Sequence, residues 1–323
     1  MIKKICLIAI LATAAAWPIH AQQAPPAAGA GGQGAGGGRG GAGGGGGGGR
    51  GGPGGGRGNV AQATVPIKPG LWMVTGAGAN ALVRVTNDGI VVVNTKQLGQ
   101  MYYDAFMEQI KMLSDKPVKY AVVGDVHQDK SGNTALFVAA GVQVVAHVNE
   151  KEGLKTYTNA AGTPGPPNVT FDKDYSIKLG TTEVAHVYYF GKASTGGDAI
   201  TYFPDLKVVS MGDVYQAGIN CDYGQGGSIL EWSKTLDGVL KLDFDTVIPN
   251  TGMPATRADL QATRDRLAKI SAATIEQIKK GTPKDQLVAA VNAMDPTFRV
   301  DSFLMNNPAR LDAYYDEFVK AAK

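Results

Sequence analysis

Histidine is scarce in this chain, with four in 323 residues. A site that gathers several imidazoles around a metal pair has too few to draw on. Cysteine is scarcer, with only Cys6 and Cys221. Cys6 falls in a segment expected to be removed, so Cys221 has no intramolecular disulfide partner and stability must come from the core. Net charge is only +3, which gives no strong electrostatic pull toward nucleic acid. Past residue 59 no apolar run reaches the roughly 20 residues that a membrane-spanning helix needs.

The two ends of the chain differ from its middle. Residues 1–21 carry Lys3 and Lys4, a short apolar run from Ile5 to Trp17, and small Ala21 at the end of Ile19-His20-Ala21. That pattern predicts a cleaved secretory signal and an exported protein, periplasmic or secreted. Residues 22–59 are nearly all glycine and alanine, with Arg39, Arg50 and Arg57 interspersed. Such a segment has no side chains from which to build a core. It reads as a flexible tether, because ordering glycine costs more entropy than burial returns.

The folded part is expected over residues 60–323. Asn87-Asp88-Gly89 separates two β-rich runs, Ala81–Thr86 and Ile90–Asn94, and predicts a hairpin. "MYYDAFMEQIKMLSD" has helical apolar spacing, "KYAVVGD" and "VQVVAHV" read as buried strands, and "NTALFVAAG" as a helix ending at Gly141. "TNAAGTPGPPNVTFD" reads as a loop. Strands return in "YSIKLGTTEVAHVYYFG", "AITYFP", "KVVSMGD" and "DTVIPN", and helices close the chain. Two blocks of strands, each followed by helices, predict a layered α/β domain.

One stretch has the outline of a metal-binding turn: "VVGDVHQDKSGN", residues 122–133. It resembles the metallo-β-lactamase superfamily motif His-x-His-x-Asp-His, which follows a buried strand. Three further segments resemble that family in the same order: the entry hairpin "GANALVRVTNDGIVVVNT", "HVYYFGKASTGGDAITYFPDLKVVSMGDVY", and "DTVIPNTGMPATRADLQATRDRL". The resemblance implies a four-layered αββα sandwich.

It also implies a metal site, and here the residues depart from the pattern. Carried over position by position, Asp125 stands at the first histidine, while His127 and Asp129 keep the family's residues. Lys130 stands at the motif's last histidine, Ser194 at the third histidine and Thr251 at the final one. Asp213 keeps the bridging aspartate, and Asp198 matches a family acid expected to stabilise a turn. A second metal would have only Asp129 and Asp213 beside a cationic lysine that has no lone pair to offer. A two-zinc centre is therefore not expected. Asp125, His127 and Asp213 could hold one divalent ion. Their carboxylate bias moves preference from zinc toward Mn²⁺ or Mg²⁺. Alternatively Lys130, among Asp125, Asp129 and Asp213, stands in for the metal.

The pocket candidates are thus Asp129, Lys130, Ser194 and Thr251. Ser194 has no second histidine placed to activate it. His147 and His186 are expected on strand faces away from the pocket, and Cys221 on a loop bordering it as a bystander. Trp72, Tyr215, Tyr223 and Trp232 fit a ligand cleft or a core equally. Three functions compete: a protein with a degenerate metal site that keeps the pocket for binding a small molecule, a single-metal hydrolase of ester, lactone or lactam bonds, and a structural or interaction module with the glycine-rich arm as a surface spacer.

Overall fold

The structure is a computed structural model that describes residues 61–158, 162–216, 218–300, 304 and 307–323. The segments read as signal (1–21) and tether (22–59) lie outside the described residues. Among the described residues no helix is long and apolar enough to cross a membrane.

A first sheet has seven strands in chain order: β1 (Ala63–Lys68), β2 (Leu71–Thr75), β3 (Ala81–Val85), β4 (Ile90–Val93), β5 (Val118–Val122), β6 (Gln143–His147) and β7 (Val169–Phe171). Its first four strands are antiparallel and its last three run parallel to β4. Pro66, which has no N–H to donate, sits in edge strand β1, where a missing ladder bond costs least. The expected hairpin joins β3 to β4, with Gly89 at φ +142°, a conformation that side chains with a Cβ rarely adopt.

A second sheet has six strands: β8 (Asp174–Leu179), β9 (Thr182–Tyr188), β10 (Ile200–Phe203), β11 (Val208–Gly212), β12 (Thr246–Pro249) and β13 (Ala255–Thr256). All its neighbours are antiparallel except β11 and β12, which run parallel. That pair brings the C-terminal ends of two strands side by side, with Gly212 opposite Pro249.

One loop expectation is corrected. Within "TNAAGTPGPPNVTFD" the last residues form β7, paired with β6 through Val145 and Val169. The Asn168 side chain explains it, accepting from the Val144 amide at 2.7 Å and donating to the Val142 carbonyl at 3.0 Å. This clamp pins the segment to the sheet edge despite its prolines.

The helices are α1 (Gln100–Leu113), α2 (Gln128–Ser131), α3 (Thr134–Ala139), α4 (Glu150–Thr156), α5 (Ile229–Val239), α6 (Arg257–Lys279), α7 (Lys284–Met294) and α8 (Pro308–Ala322). Alternation along the strands sends side chains to both faces of each sheet. Leu71, Leu82, Val93 and Val122 of the first sheet meet Ile177, Val187, Phe203 and Ile248 of the second. The outer face of the first sheet packs Val83, Val92 and Val144 on Phe106 of α1, Phe137 of α3 and Leu154 of α4. The outer face of the second packs Val209, Met211 and Val247 on Trp232, Leu267, Val291 and Phe318 of α5 to α8. The order is helix, sheet, sheet, helix: the expected αββα sandwich. Because parallel strands end together, the loops after β5, β11 and β12 gather at one edge of the sandwich.

Candidate functional site

Those loops build a cavity of about 460 Å³, lined among others by His127, Asp129, Tyr157, Ser194, Asp213, Asn220, Asp222, Asn250 and Thr251. The turn after β5 starts it. The Asp125 carboxylate accepts from the His127 amide at 2.9 Å, an Asx-type turn that leads directly into α2. Gly132 closes that turn: a Cβ there would collide with the Leu98 backbone, so no larger residue fits. From α2, the Thr95 hydroxyl donates to the Lys130 carbonyl at 3.1 Å and the Ala79 amide to the Asp129 carbonyl at 3.1 Å, locking both residues to the first sheet.

Lys130 points inward. Its side chain is 0% exposed, and its Nζ lies 2.7 Å from Asp213, 3.0 Å from Asp129 and 3.4 Å from Asp125. Burial opposes a charge here, yet the carboxylates outweigh it and raise the Lys130 pKa well above the usual lysine range. Burial alone would raise Asp125, but Lys130 and His127 hold it down at about 2. For Asp213 burial prevails over the ammonium, and the pKa rises.

His127 sits between carboxylates. Nδ1 is 3.0 Å from Asp125 and 3.6 Å from Asp213, and Nε2 is 3.3 Å from Asp222. Burial disfavours its charge, but these partners raise its pKa well above the ordinary value. Both ring nitrogens thus face carboxylates, an arrangement that favours the protonated ring.

The structure brings Asp125, His127, Asp129, Lys130 and Asp213 together and places Ser194 and Thr251 in the cavity lining. The Ser194 hydroxyl donates to the Asn220 carbonyl at 2.9 Å and so faces a backbone oxygen rather than a base. Asp198 stabilises its turn by accepting from the Thr195 amide at 2.8 Å. His147 stacks on Tyr189, and His186 stacks on Tyr188 and pairs with Glu183, both outside the cavity lining. Cys221 is buried, its thiol near the Ala193 carbonyl, and burial pushes its pKa well up.

Of the four aromatics, Trp232 is core and donates to the Val214 carbonyl at 3.0 Å. Tyr223 donates to Glu317 of α8 at 2.7 Å, and Trp72 is half-buried on β2. Tyr215 lines an adjoining groove of about 410 Å³ with Met253 and Arg266, which shares Gln216 and Thr251 with the main cavity. The aromatic in the main cavity is Tyr157, whose ring meets His127 edge-on.

Sequence reasoning missed Asp222, which reaches His127 from 95 residues further along the chain. It also missed Lys96, buried at φ +67° and donating to the Val74 and Ala79 carbonyls at 2.9 and 2.7 Å. Burial lowers the Lys96 pKa to about 7, against the pull of Asp129.

The donor set does not suit a two-metal centre. His127 is the one imidazole in the cavity lining, and an ammonium sits among the carboxylates that a second ion would need. Ligand atoms of Asp125, His127 and Asp213 do lie within 4.8 Å of one another. The Lys130 ammonium contacts both of those carboxylates, so a cation there would meet another cation.

No family model matches the chain. It is 24% identical over 161 residues to metallo-beta-lactamase IND-1 of Chryseobacterium indologenes, a stretch that is 49% of this chain and 64% of that protein. The chain thus spans less than two thirds of that relative's length. It is 20% identical over 259 residues to the 2,4-dinitroanisole O-demethylase subunit alpha of a Nocardioides species, covering 76% and 77% of the two chains. Among solved structures, a metallo-beta-lactamase from Pontibacter korlensis superposes with TM-score 0.56 at 21% identity, covering 64% of this chain and 99% of that one. FIM-1 from Pseudomonas aeruginosa, in its mono-zinc form, superposes with TM-score 0.56 at 18% identity, covering 64% and 95%. At this edge of the αββα sandwich, where the resemblance in sequence placed a metal motif, the chain carries a lysine–carboxylate cluster on the metallo-β-lactamase fold.

Proposed function

We propose that this chain is an exported metallo-β-lactamase-fold protein whose dinuclear metal site is degenerate. It lacks ordinary zinc-hydrolase activity and uses the cavity to bind a small polar molecule. The observation that carries this reading is the fully buried Lys130 ammonium within 3.4 Å of three carboxylates, where it disfavours a metal ion. Zinc chemistry of this type depends on ligands that hold the ion and leave one position for water. Here Lys130, Ser194 and Thr251 supply no imidazole. The lining favours a ligand that brings positive charge or hydrogen-bond donors. Asp125, Asp129, Asp213 and Asp222 outnumber Lys130 and His127, and Arg310 adds a cation 3.9 Å from Asp222 at the edge. Export is supported by the N-terminal pattern of Lys3, Lys4, the apolar run and Ala21.

A second reading is a hydrolase of ester, lactone or lactam bonds with a single divalent ion. It is favoured by the convergence of Asp125, His127 and Asp213 within 4.8 Å, and by the mono-zinc form recorded for FIM-1. Elemental mass spectrometry on protein purified without chelators, repeated after incubation with Zn²⁺ and Mn²⁺, separates the two. No retained metal, with no hydrolysis of ester, lactone or β-lactam substrates, supports the binding protein. About one ion per chain, abolished by His127→Ala, establishes the hydrolase reading instead.

A further inference from the structure

We propose that Lys130 is a resident cation covering a latent metal site, and that removing its side chain turns this protein into a binder of one divalent ion. The inference rests on the reading of the cavity as metal-free and concerns what keeps it so.

The ammonium occupies the position of charge that a metal would occupy. It has three N–H donors, and oxygens of three carboxylates surround it at 2.7, 3.0 and 3.4 Å. Those carboxylates come from separate parts of the chain, Asp125 and Asp129 flanking the start of α2 and Asp213 following β11. Without a cation they would repel one another. The side chain is built in rather than draped over the site. Its stem passes two glycines: a Cβ on Gly124 or Gly212 would stand 3.8 or 3.6 Å from Lys130 Cδ. Its amide donates to the His127 carbonyl at 3.0 Å, and its carbonyl accepts from the Thr95 amide and hydroxyl. A lysine so held is fully buried, its ammonium paired with all three carboxylates.

Beneath that cation the donor atoms are already assembled. The ligand atoms of Asp125, His127 and Asp213 fall within 4.8 Å of one another. His127 Nδ1 is 3.0 Å from Asp125 and 3.6 Å from Asp213. Those separations are close to the edge of a tetrahedron with metal–ligand bonds of about 2.1 Å. One oxygen of Asp213 lies near both Nδ1 and the ammonium, so ion and lysine compete for the same carboxylate. Lys130→Ala removes the competing charge and opens the space of its stem. Two carboxylates and one imidazole then form a mixed N/O donor set suited to Zn²⁺ or Mn²⁺, with a position left for water.

The test compares the full mature chain with Lys130→Ala, Lys130→Met and Lys130→Ala/Asp213→Asn. Each is purified without chelators, incubated with Zn²⁺ or Mn²⁺, desalted and measured for metal content and melting temperature. The expected result is about one ion per chain in Lys130→Ala, with Tm raised by about 5 °C or more. Wild type should retain none and show no shift. Lys130→Met, which keeps the space filled, and the double variant should each bind less than about a tenth as much as Lys130→Ala. A Lys130→Ala chain that folds only when Zn²⁺ or Mn²⁺ is added also supports the proposal, because the ion then replaces the ammonium. A folded Lys130→Ala that binds nothing, or one that stays unfolded with and without metal, overturns the latent site and leaves the metal-free reading of wild type standing. Wild type that already retains an ion overturns both.

Discussion

Lys130→Met tests whether the buried cluster contributes to stability through charge. The methionine keeps the stem and deletes the ammonium, leaving Asp125, Asp129 and Asp213 without the cation that now lies 2.7–3.4 Å from each. Removing one partner of a buried ion pair costs about 3–5 kcal/mol, because the remaining charge is left uncompensated. At about 2–4 °C per kcal/mol for a domain of this size, Tm should fall by about 6–20 °C at pH 7. The pH dependence identifies the cause. In wild type Asp125 titrates at about 2, below its ordinary 3.8. Its stabilising contribution is present above 3.8 and is lost as pH falls toward 2. Without Lys130, burial dominates, so the folded pKa of Asp125 moves above its unfolded one and that of Asp213, already raised, moves further up. The variant's penalty is then absent at acid pH and grows as pH rises. Lys130 itself, raised above 10.5, loses its contribution only at higher pH, outside this window. Thermal melts followed by circular dichroism from pH 3 to 7 should show a deficit that narrows below about pH 4. A deficit under about 1 kcal/mol, or one that is constant with pH, would refute the reasoning.

Three further outcomes are expected. Glu150, buried beside Asp125 and Asp198, is pushed up to about 8 and accepts from the Thr195 hydroxyl at 3.0 Å. Its raised pKa makes the fold lose stability as pH climbs from 4.5 to 8, so Glu150→Gln should flatten that slope and gain about 1–3 kcal/mol at pH 8 in urea melts; an unchanged slope excludes the assignment. The buried Cys221 thiol should react with a disulfide reagent about 100-fold more slowly in the native protein than in denaturant, and equal rates would place it at the surface. Thr256 closes a capping box at the start of α6, its hydroxyl accepting from Asp259 and its amide donating to the Asp259 carboxylate. Thr256→Ala should cost about 1 kcal/mol by urea denaturation, and no loss would show that the cap is dispensable.

The layers and helix ends were legible because they obey local rules. Asn87-Asp88-Gly89 makes its turn for the reason the sequence suggests: Gly89 takes a positive φ. Gly141 follows α3 at φ +79°, and Ser228 caps α5 by accepting from Glu231. What was not legible depends on distant partners or on backbone strain. Strand β7 is held by Asn168, and nothing local in a proline-rich run announces that clamp. Lys96 adopts φ +67° and buries its ammonium against two carbonyls, which no periodicity encodes. Asp222 follows a buried cysteine in a glycine-rich loop, and its role becomes visible only when the loop folds back over His127. Glu150 sits in the charged run "NEKEGLK" yet is 3% exposed, and no local pattern marks its burial.

The two departures from the family motif at positions 125 and 130 make physical sense as a pair. Placing a carboxylate at 125 adds a negative charge to a buried site, and a lysine at 130 adds a positive one 3.4 Å away. Lysine alone would put an ammonium beside a metal site that repels it. Aspartate alone would crowd three acids around His127, and burial would force protons onto them. Together they yield a cluster in which Lys130 and His127 hold the Asp125 pKa down and Asp125 raises that of His127. The ring of His127, the one histidine kept from the motif, is held by Asp125 on one nitrogen and Asp222 on the other. Around this cluster the cavity lining stays acidic, with Asp129, Asp213 and Asp222 in its walls. Any polar molecule entering it would meet the fixed carboxylates of Asp129, Asp213 and Asp222 and the Asn250 side chain, so charge and hydrogen bonding would govern the fit.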